Sequence, residues 1–144
     1  IKNKKKLIIR NPLSTRPWQH VLEPISGYLL LGFKLFKYPK KFTQPWNFGP
    51  KANQVKNVKN LVKDFSNYLA PFKIKVKFSS KIKYHETKLL RLNSNKAFKY
   101  LRWRCKWKME QAIFQTAKWY KNHLLKQDPK ALIKNQIKEY FKLS

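Results

Sequence analysis

The chain has 144 residues, of which 42% are hydrophobic and 15% aromatic, and its 34 Lys and Arg against six Asp and Glu give a formal net charge of +28. The apolar content excludes a disordered basic tail, and the charge excludes an ordinary domain with a balanced surface. A net charge so far from zero favours association with an anionic partner.

The N-terminal half is predicted to contain short strands and two helices. Residues 6–10 are a strand candidate, and a helix should follow Pro17, started by Ser14 or Thr15, and end near Lys37 before Pro39. The segment 46–48, which lies before Gly49, indicates a brief strand that ends in a turn. Apolar residues at three- and four-residue spacing predict an amphipathic helix over 55–69.

The C-terminal half is predicted to be richer in helix. Residues 73–78 alternate with period two, which places Ile74, Val76 and Phe78 inward on a strand. A further strand is predicted over 86–92, then a short helix to about residue 100 and a longer one from Met109. Asp128 followed by Pro129 is typical of a helix start. The length predicts one basic domain, 1–144, with a helical extension over 126–144.

No residue pattern points to catalysis. The single cysteine, Cys105, excludes an intramolecular disulfide, and the histidines are scattered without the spacing of a metal site. The three glycines do not form a phosphate-binding loop. No apolar stretch is long enough to span a bilayer. We therefore predict no catalytic residue, no metal, no cofactor and no membrane span.

Basic side chains that alternate with aromatic ones indicate nucleic-acid binding. Trp103, Trp107 and Tyr84 are candidates for stacking on unpaired bases. Cations that neutralise phosphates release counterions, so they dominate such binding. The residues predicted to contact RNA are Lys2, Lys4, Lys5, Lys6, Lys56, Lys59, Lys63, Lys73, Lys75, Lys77, Lys81, Lys83, Arg102, Arg104, Lys106 and Lys108.

Several stretches resemble a known family. The runs IRNP at 9–12, RPWQHVLEP at 16–24 and WNFGP at 46–50 resemble the CDP-glucose 4,6-dehydratases, which are extended short-chain dehydrogenase/reductases. The likeness covers nearly the whole chain, but only the C-terminal, substrate-binding part of those enzymes. It implies a helix-rich α/β lobe, α+β-like with a few short strands, that helps to build a sugar-nucleotide pocket.

The resemblance also implies functional residues. Arg16 matches an arginine expected to contact the phosphates of the nucleotide, with His85 and Glu86 nearby. The resemblance does not extend to the cofactor-binding half of these enzymes, which carries their glycine-rich fingerprint and catalytic Tyr-x-x-x-Lys pair, so no NAD is expected and this piece alone should not catalyse the reaction. Arg102 stands where the family has a glycine, and Asn93 where it has an aspartate.

Two hypotheses follow for the function. The first is a non-catalytic structural RNA-binding protein of an organellar ribosome, in the mitochondrion or else a plastid, with ribosomal RNA and neighbouring ribosomal proteins as partners. The alternative is the substrate-binding lobe of a split or truncated dehydratase, which would need a separate Rossmann chain, present an apolar face to it and bind a CDP-sugar through Arg16. A cationic membrane-surface protein is a third possibility.

Overall fold

The computed structural model describes residues 6–51, 53–79 and 90–142. Helices dominate this part of the chain, and the strands have two or three residues each, so the predicted helix-rich α/β class is confirmed. None of the helices in the described ranges is long and apolar enough to cross a membrane. In chain order the elements are β1 Leu7–Ile9, β2 Thr15–Arg16, α1 Leu22–Lys37, α2 Pro39–Phe42, β3 Lys56–Asn57, α3 Val58–Tyr68, β4 Val76–Phe78, a π-helix Ala97–Leu101, α4 Met109–Leu124 and α5 Pro129–Phe141.

The strands form two separate pairs. β1 and β4 are parallel, with Leu7 opposite Val76 and Ile9 opposite Phe78, and the three lysines of the 73–78 segment are exposed as predicted. Phe78 differs from the prediction, since it ends the strand and is 44% exposed. β2 and β3 form an antiparallel pair that we did not predict, because two-residue strands are too short to show a period of two. In the predicted strand over 86–92, residues 86–89 lie outside the described residues, and 90–92 are irregular.

Helix α1 begins later than predicted. Its N-cap residue is Val21, and the Leu22 amide donates a hydrogen bond to Nδ1 of His20 over 3.3 Å. Thr15, one of the two predicted caps, lies in β2 instead. The predicted end is confirmed, since the helix stops at Lys37 before Pro39.

The main core forms where α1 crosses the irregular segment that contains Phe48. This segment is not the predicted strand, because the Phe48 ring is buried, 5.0 Å from the Trp103 ring and edge-on to it. A Cβ atom built on Gly27 would lie 2.4 Å from Cδ1 of Phe48, so only glycine allows this approach. Phe42, Ala97 and Leu101 complete the buried cluster.

Side-chain caps start helices α3 and α5. Asn57 accepts a hydrogen bond from the Asn60 amide over 2.8 Å, which sets the start of α3 three residues after the predicted one. Asp128 accepts from the amides of Lys130 and Ala131, so the predicted start of α5 is confirmed. The side chain of Gln136 in α5 donates to the Gln115 carbonyl of α4 over 2.7 Å, which joins the last two helices.

The π-helix ends at a residue in the left-handed conformation. Arg102 has φ 58° and ψ 24°. This conformation has a steric free-energy cost for any residue with a Cβ atom, whereas glycine adopts it freely. The amides of Arg102 and Trp103 reach back to the carbonyls of Phe98 and Ala97. The left-handed conformation of residue 102 explains why the resembling family has a glycine at this position.

Arg102→Gly should therefore stabilise the protein. We expect a gain of about 1 kcal/mol in the free energy of unfolding, because the steric cost of the left-handed conformation disappears. Lys99→Gly, inside the same short helix, should have the opposite sign and lose about 1 kcal/mol. Urea denaturation of both variants measures the difference, and a loss of stability in both would contradict the strain at Arg102.

Candidate functional site: a cationic cavity beside Gly49

A cavity of about 650 Å³ lies where three segments of the chain meet. One wall is the chain around Gly49 and Pro50, the second is residues 91–95, and the third is the end of the π-helix and the segment after it. This volume is in the range of small-molecule sites.

The cavity is positively charged. Lys51, Arg91 and Arg104 line it, and no acidic residue is among the described residues of its wall. Guanidinium groups present several N–H donors in a plane and bind phosphate or carboxylate oxygens in pairs. The cavity can therefore hold an anionic group without a metal ion to balance it.

Apolar and amide groups complete the wall. Leu92, Phe98 and Trp103 contribute apolar surface, and the Arg104 guanidinium lies 5.7 Å from the centroid of the Phe98 ring. The amide side chains that line the cavity are Gln54, Asn93 and Asn95. A ligand with a flat ring, hydrogen-bonding edges and an anionic group matches this combination.

Hydrogen bonds hold the walls in place. The Ser94 hydroxyl accepts a bond from the Gly49 amide over 2.7 Å, which ties the first wall to the second. The indole N–H of Trp103 donates to the Ser26 hydroxyl of α1 over 3.0 Å. Gln19 links the third wall to the core, since its side chain donates to the Phe48 carbonyl and accepts from the Cys105 thiol.

Neither Cys105 nor His20 is poised for chemistry. Burial, reinforced by the nearby Glu23 charge, raises the pKa of the Cys105 thiol to about 12, so it is protonated at neutral pH and is a poor nucleophile. Burial lowers the pKa of His20 to about 4, which leaves its imidazole neutral. His20 accepts the Leu22 amide bond and packs against Trp107 with ring centroids 4.8 Å apart.

A buried carboxylate supports the segment that carries Arg104. Glu23, in the first turn of α1, has no exposed surface, and its oxygens accept hydrogen bonds from the amides of Lys106 and Trp107 over 2.9 to 3.2 Å. The Tyr140 hydroxyl of α5 donates to the same carboxylate over 2.7 Å. Glu23 thus joins α1, α5 and the segment after the π-helix at one point.

The residues assigned to a sugar-nucleotide pocket are not brought together in the described part of the chain. Arg16 lies in β2, where its guanidinium donates to the Thr15 carbonyl over 2.8 Å, and it does not line the cavity. His85 and Glu86 lie outside the described residues. Of the cavity cations, the sequence singled out Arg104; Lys51 and Arg91 were missed because no local pattern connects residues 40 positions apart.

The cations predicted to contact RNA lie on several unrelated elements. Lys2, Lys4, Lys5, Lys81 and Lys83 lie outside the described residues. Lys56 forms an ion pair with Asp64, and the Lys106 ammonium lies 4.8 and 4.5 Å from the ring centroids of Tyr140 and Phe141. The exposed ones are Lys6, Lys59, Lys63, Lys73, Lys75, Lys77, Arg102, Arg104 and Lys108, besides Lys106.

The tryptophans predicted as stacking candidates are packed inside the protein. Trp103 is buried against Phe48, and Trp107 is half-buried between the rings of His20 and Tyr140. The third candidate, Tyr84, lies outside the described residues. The two described rings therefore serve the core.

A dinucleotide cofactor finds no matching site in the described residues. Gly27 and Gly32 lie within α1, and a Cβ atom on Gly49 would lie 2.8 Å from Cβ of Leu92. None of these glycines forms the turn between a strand and a helix that receives a pyrophosphate. Over the same ranges, no three His, Cys, Asp or Glu residues are grouped as metal ligands.

The comparison with curated proteins identifies a relative. A CDP-glucose 4,6-dehydratase of Salmonella typhimurium is 34% identical over an alignment of 145 positions, which covers 96% of this chain and 38% of that protein. The chain is homologous to part of this dehydratase. It thus spans less than half the length of the relative, and no protein-family model matches it.

Solved structures show the same fold. A dTDP-glucose 4,6-dehydratase of Bacillus anthracis in complex with NAD superimposes with a TM-score of 0.62 at 20% identity, covering 84% of this chain and 36% of that one. The RMD protein of Pseudomonas aeruginosa complexed with NADPH gives 0.61 at 13% identity, covering 82% and 36%. Both structures contain a nicotinamide cofactor, NAD or NADPH. The 144 residues of this chain do not contain the glycine-rich fingerprint that binds such a dinucleotide.

These relatives overturn the first functional hypothesis. The interpretation as a non-catalytic structural RNA-binding protein of an organellar ribosome is wrong, because the homologous protein is a CDP-glucose 4,6-dehydratase, which is an enzyme. No finding tests the ribosomal partners or the mitochondrial location, so both stay predictions. The reason for the error is that net charge indicates an anionic ligand but does not distinguish a polymer from a small molecule.

Proposed function

We propose that these residues form the substrate-binding portion of a dehydratase that acts on a CDP-sugar. The observation that carries the proposal is the 34% identity with a CDP-glucose 4,6-dehydratase along 96% of the chain. The chain spans 38% of that relative. The rest of such an enzyme would bind the NAD, which serves in both the oxidation and the reduction of the sugar. The task of these residues is to bind and orient the substrate.

The cavity supports this assignment. Its cations, Lys51, Arg91 and Arg104, suit the negative charges of a diphosphate, and the Phe98 ring beside Arg104 suits a cytosine. The cavity also borders the strand pair that holds Arg16, because Gln54 lies two residues before Lys56, the partner of Arg16 in β3. A nucleotide in the cavity could therefore extend its phosphates toward Arg16.

Binding of CDP to the 144-residue chain tests the proposal. Titration should change the fluorescence of Trp103, which lines the cavity. Arg104→Gln should weaken CDP about 10- to 100-fold, because a hydrogen bond to a charged group is worth about 1.5–3 kcal/mol. Lys134→Gln removes the same charge from α5, away from the cavity, and should leave the affinity unchanged.

Two results would reject the assignment. Absence of CDP binding at millimolar concentration would exclude a substrate-binding role for the cavity. Equal weakening by Arg104→Gln and Lys134→Gln would mean that CDP responds only to net charge. A chimera in which these residues replace the matching segment of the Salmonella typhimurium relative gives an independent readout, since it should form a 4-keto sugar from CDP-glucose.

A further inference from the structure

Helix α1 is apolar on two opposite sides. One side faces the core, through Gly27 against Phe48 and the half-buried Leu30 and Leu31. The other side carries apolar residues that recur at intervals of three and four and that we call the outer face of α1: Val21, Ile25, Tyr28, Leu29, Gly32, Phe33 and Phe36. A helix with apolar residues on two opposite sides is normally covered on both of them.

The outer face is exposed. Leu29 is 66% exposed, Phe33 53% and Phe36 87%, and Tyr28 has only its edge contact with Phe48 among ring contacts of the described residues. The residues of this face are uncharged, although 34 of the 144 residues are Lys or Arg, and the nearest charge is that of Lys37 at the end of α1, whose ammonium lies 4.8 Å from the centroid of the Phe33 ring. The 16 residues of α1 make the face about 24 Å long. Such an uncharged apolar strip marks a surface that another structure covers.

We propose that the outer face of α1 is the surface on which the dinucleotide-binding portion of the enzyme docks. The inference rests on the proposed function, in which that portion, whether in the same chain or in a separate one, is required. The occupant follows from what the 144 residues lack: they match 38% of the relative and contain no dinucleotide fingerprint. We expect the docking portion to present an uncharged surface to the outer face of α1. The contact is then hydrophobic, although the rest of the protein is strongly basic.

Cysteine labelling tests the docking surface. In a Cys105→Ser background, Leu29→Cys should react rapidly with a maleimide in the 144-residue chain, because the site is exposed. In the chimera with the Salmonella typhimurium relative, the same thiol should react at least about tenfold more slowly, because a label reaches a covered thiol only when the interface opens. Ile133→Cys on α5, 49% exposed, is the matched control and should react equally fast in both proteins.

The outcomes separate the alternatives. Equal rates for Leu29→Cys in the chain and the chimera overturn the proposal. Protection in the isolated chain that grows with protein concentration means that a second copy covers the face, which also overturns it. Protection in a chimera that neither binds CDP nor forms the keto sugar supports the docking surface while rejecting the proposed function. Far-UV circular dichroism of each variant confirms that it is folded before labelling.

Discussion

Replacing Glu23 with alanine should remove about 3 kcal/mol or more from the free energy of unfolding, because three buried donors lose their acceptor and each unsatisfied donor costs about 1–3 kcal/mol. Glu23 has no exposed surface and accepts hydrogen bonds from the Lys106 and Trp107 amides and the Tyr140 hydroxyl. The substitution leaves these buried donors without a partner, and each then bears its full cost of desolvation. The segment with Arg104 and helix α5 should loosen together.

Urea denaturation followed by circular dichroism measures this effect. Glu110→Ala is a suitable control, because Glu110 is an exposed glutamate in the first turn of α4 and contributes less than about 1 kcal/mol through the helix dipole. Similar losses for the two variants would show that the Glu23 hydrogen bonds contribute no more than a surface charge. Hydrogen exchange should place the loosened amides in α5 and at residues 106–107.

Two alanine substitutions in α1 should have opposite signs. Gly27→Ala should destabilise the protein, because its Cβ atom would lie 2.4 Å from a ring carbon of Phe48, which is itself buried. Gly32→Ala should stabilise it by about 0.5–1 kcal/mol, because no atom lies within 4 Å of the added methyl group and alanine favours the helix. The two variants should differ by about 1–3 kcal/mol, the usual cost of overpacking a core.

Thermal or urea unfolding of the pair isolates packing from helix propensity, since both substitutions gain the same propensity in the same helix. Stabilisation by both would mean that the Phe48 ring moves aside without cost. Phe48→Leu, combined with Gly27→Ala, provides a further check: the smaller side chain should recover part of the lost stability, because the clash involves the aromatic ring.

The helices were the most predictable part of the fold. The end of α1 before Pro39 and the start of α5 at Asp128 follow from local chemistry, the fixed φ of proline and a side-chain cap. The segment 46–48 was predicted wrongly because an aromatic run before a turn has the same composition in a strand and in a buried loop. Its conformation depends on Gly27, which lies about 20 residues away and admits the Phe48 ring.

The candidate site was only partly predictable. Arg104 stood out within a run of basic and aromatic residues, whereas Lys51 and Arg91 become neighbours only through the packing of distant segments. The family resemblance pointed to Arg16, and the structure places it in β2, outside the lining of the cavity. Glu23 carried no signal, because a glutamate in the first turn of a helix is usually exposed and favourable to the dipole.

From its residues alone, the chain is recognisable as a helix-rich α/β protein with a strong positive charge and a segmental likeness to dehydratases, since periodicity, caps and net charge are local or additive properties. The cavity, the burial of Glu23 and the uncovered face of α1 required coordinates. Each of these three features depends on which distant segments of the chain meet. Side-chain volumes and hydrogen-bond partners determine those contacts, and both act only in the packed molecule.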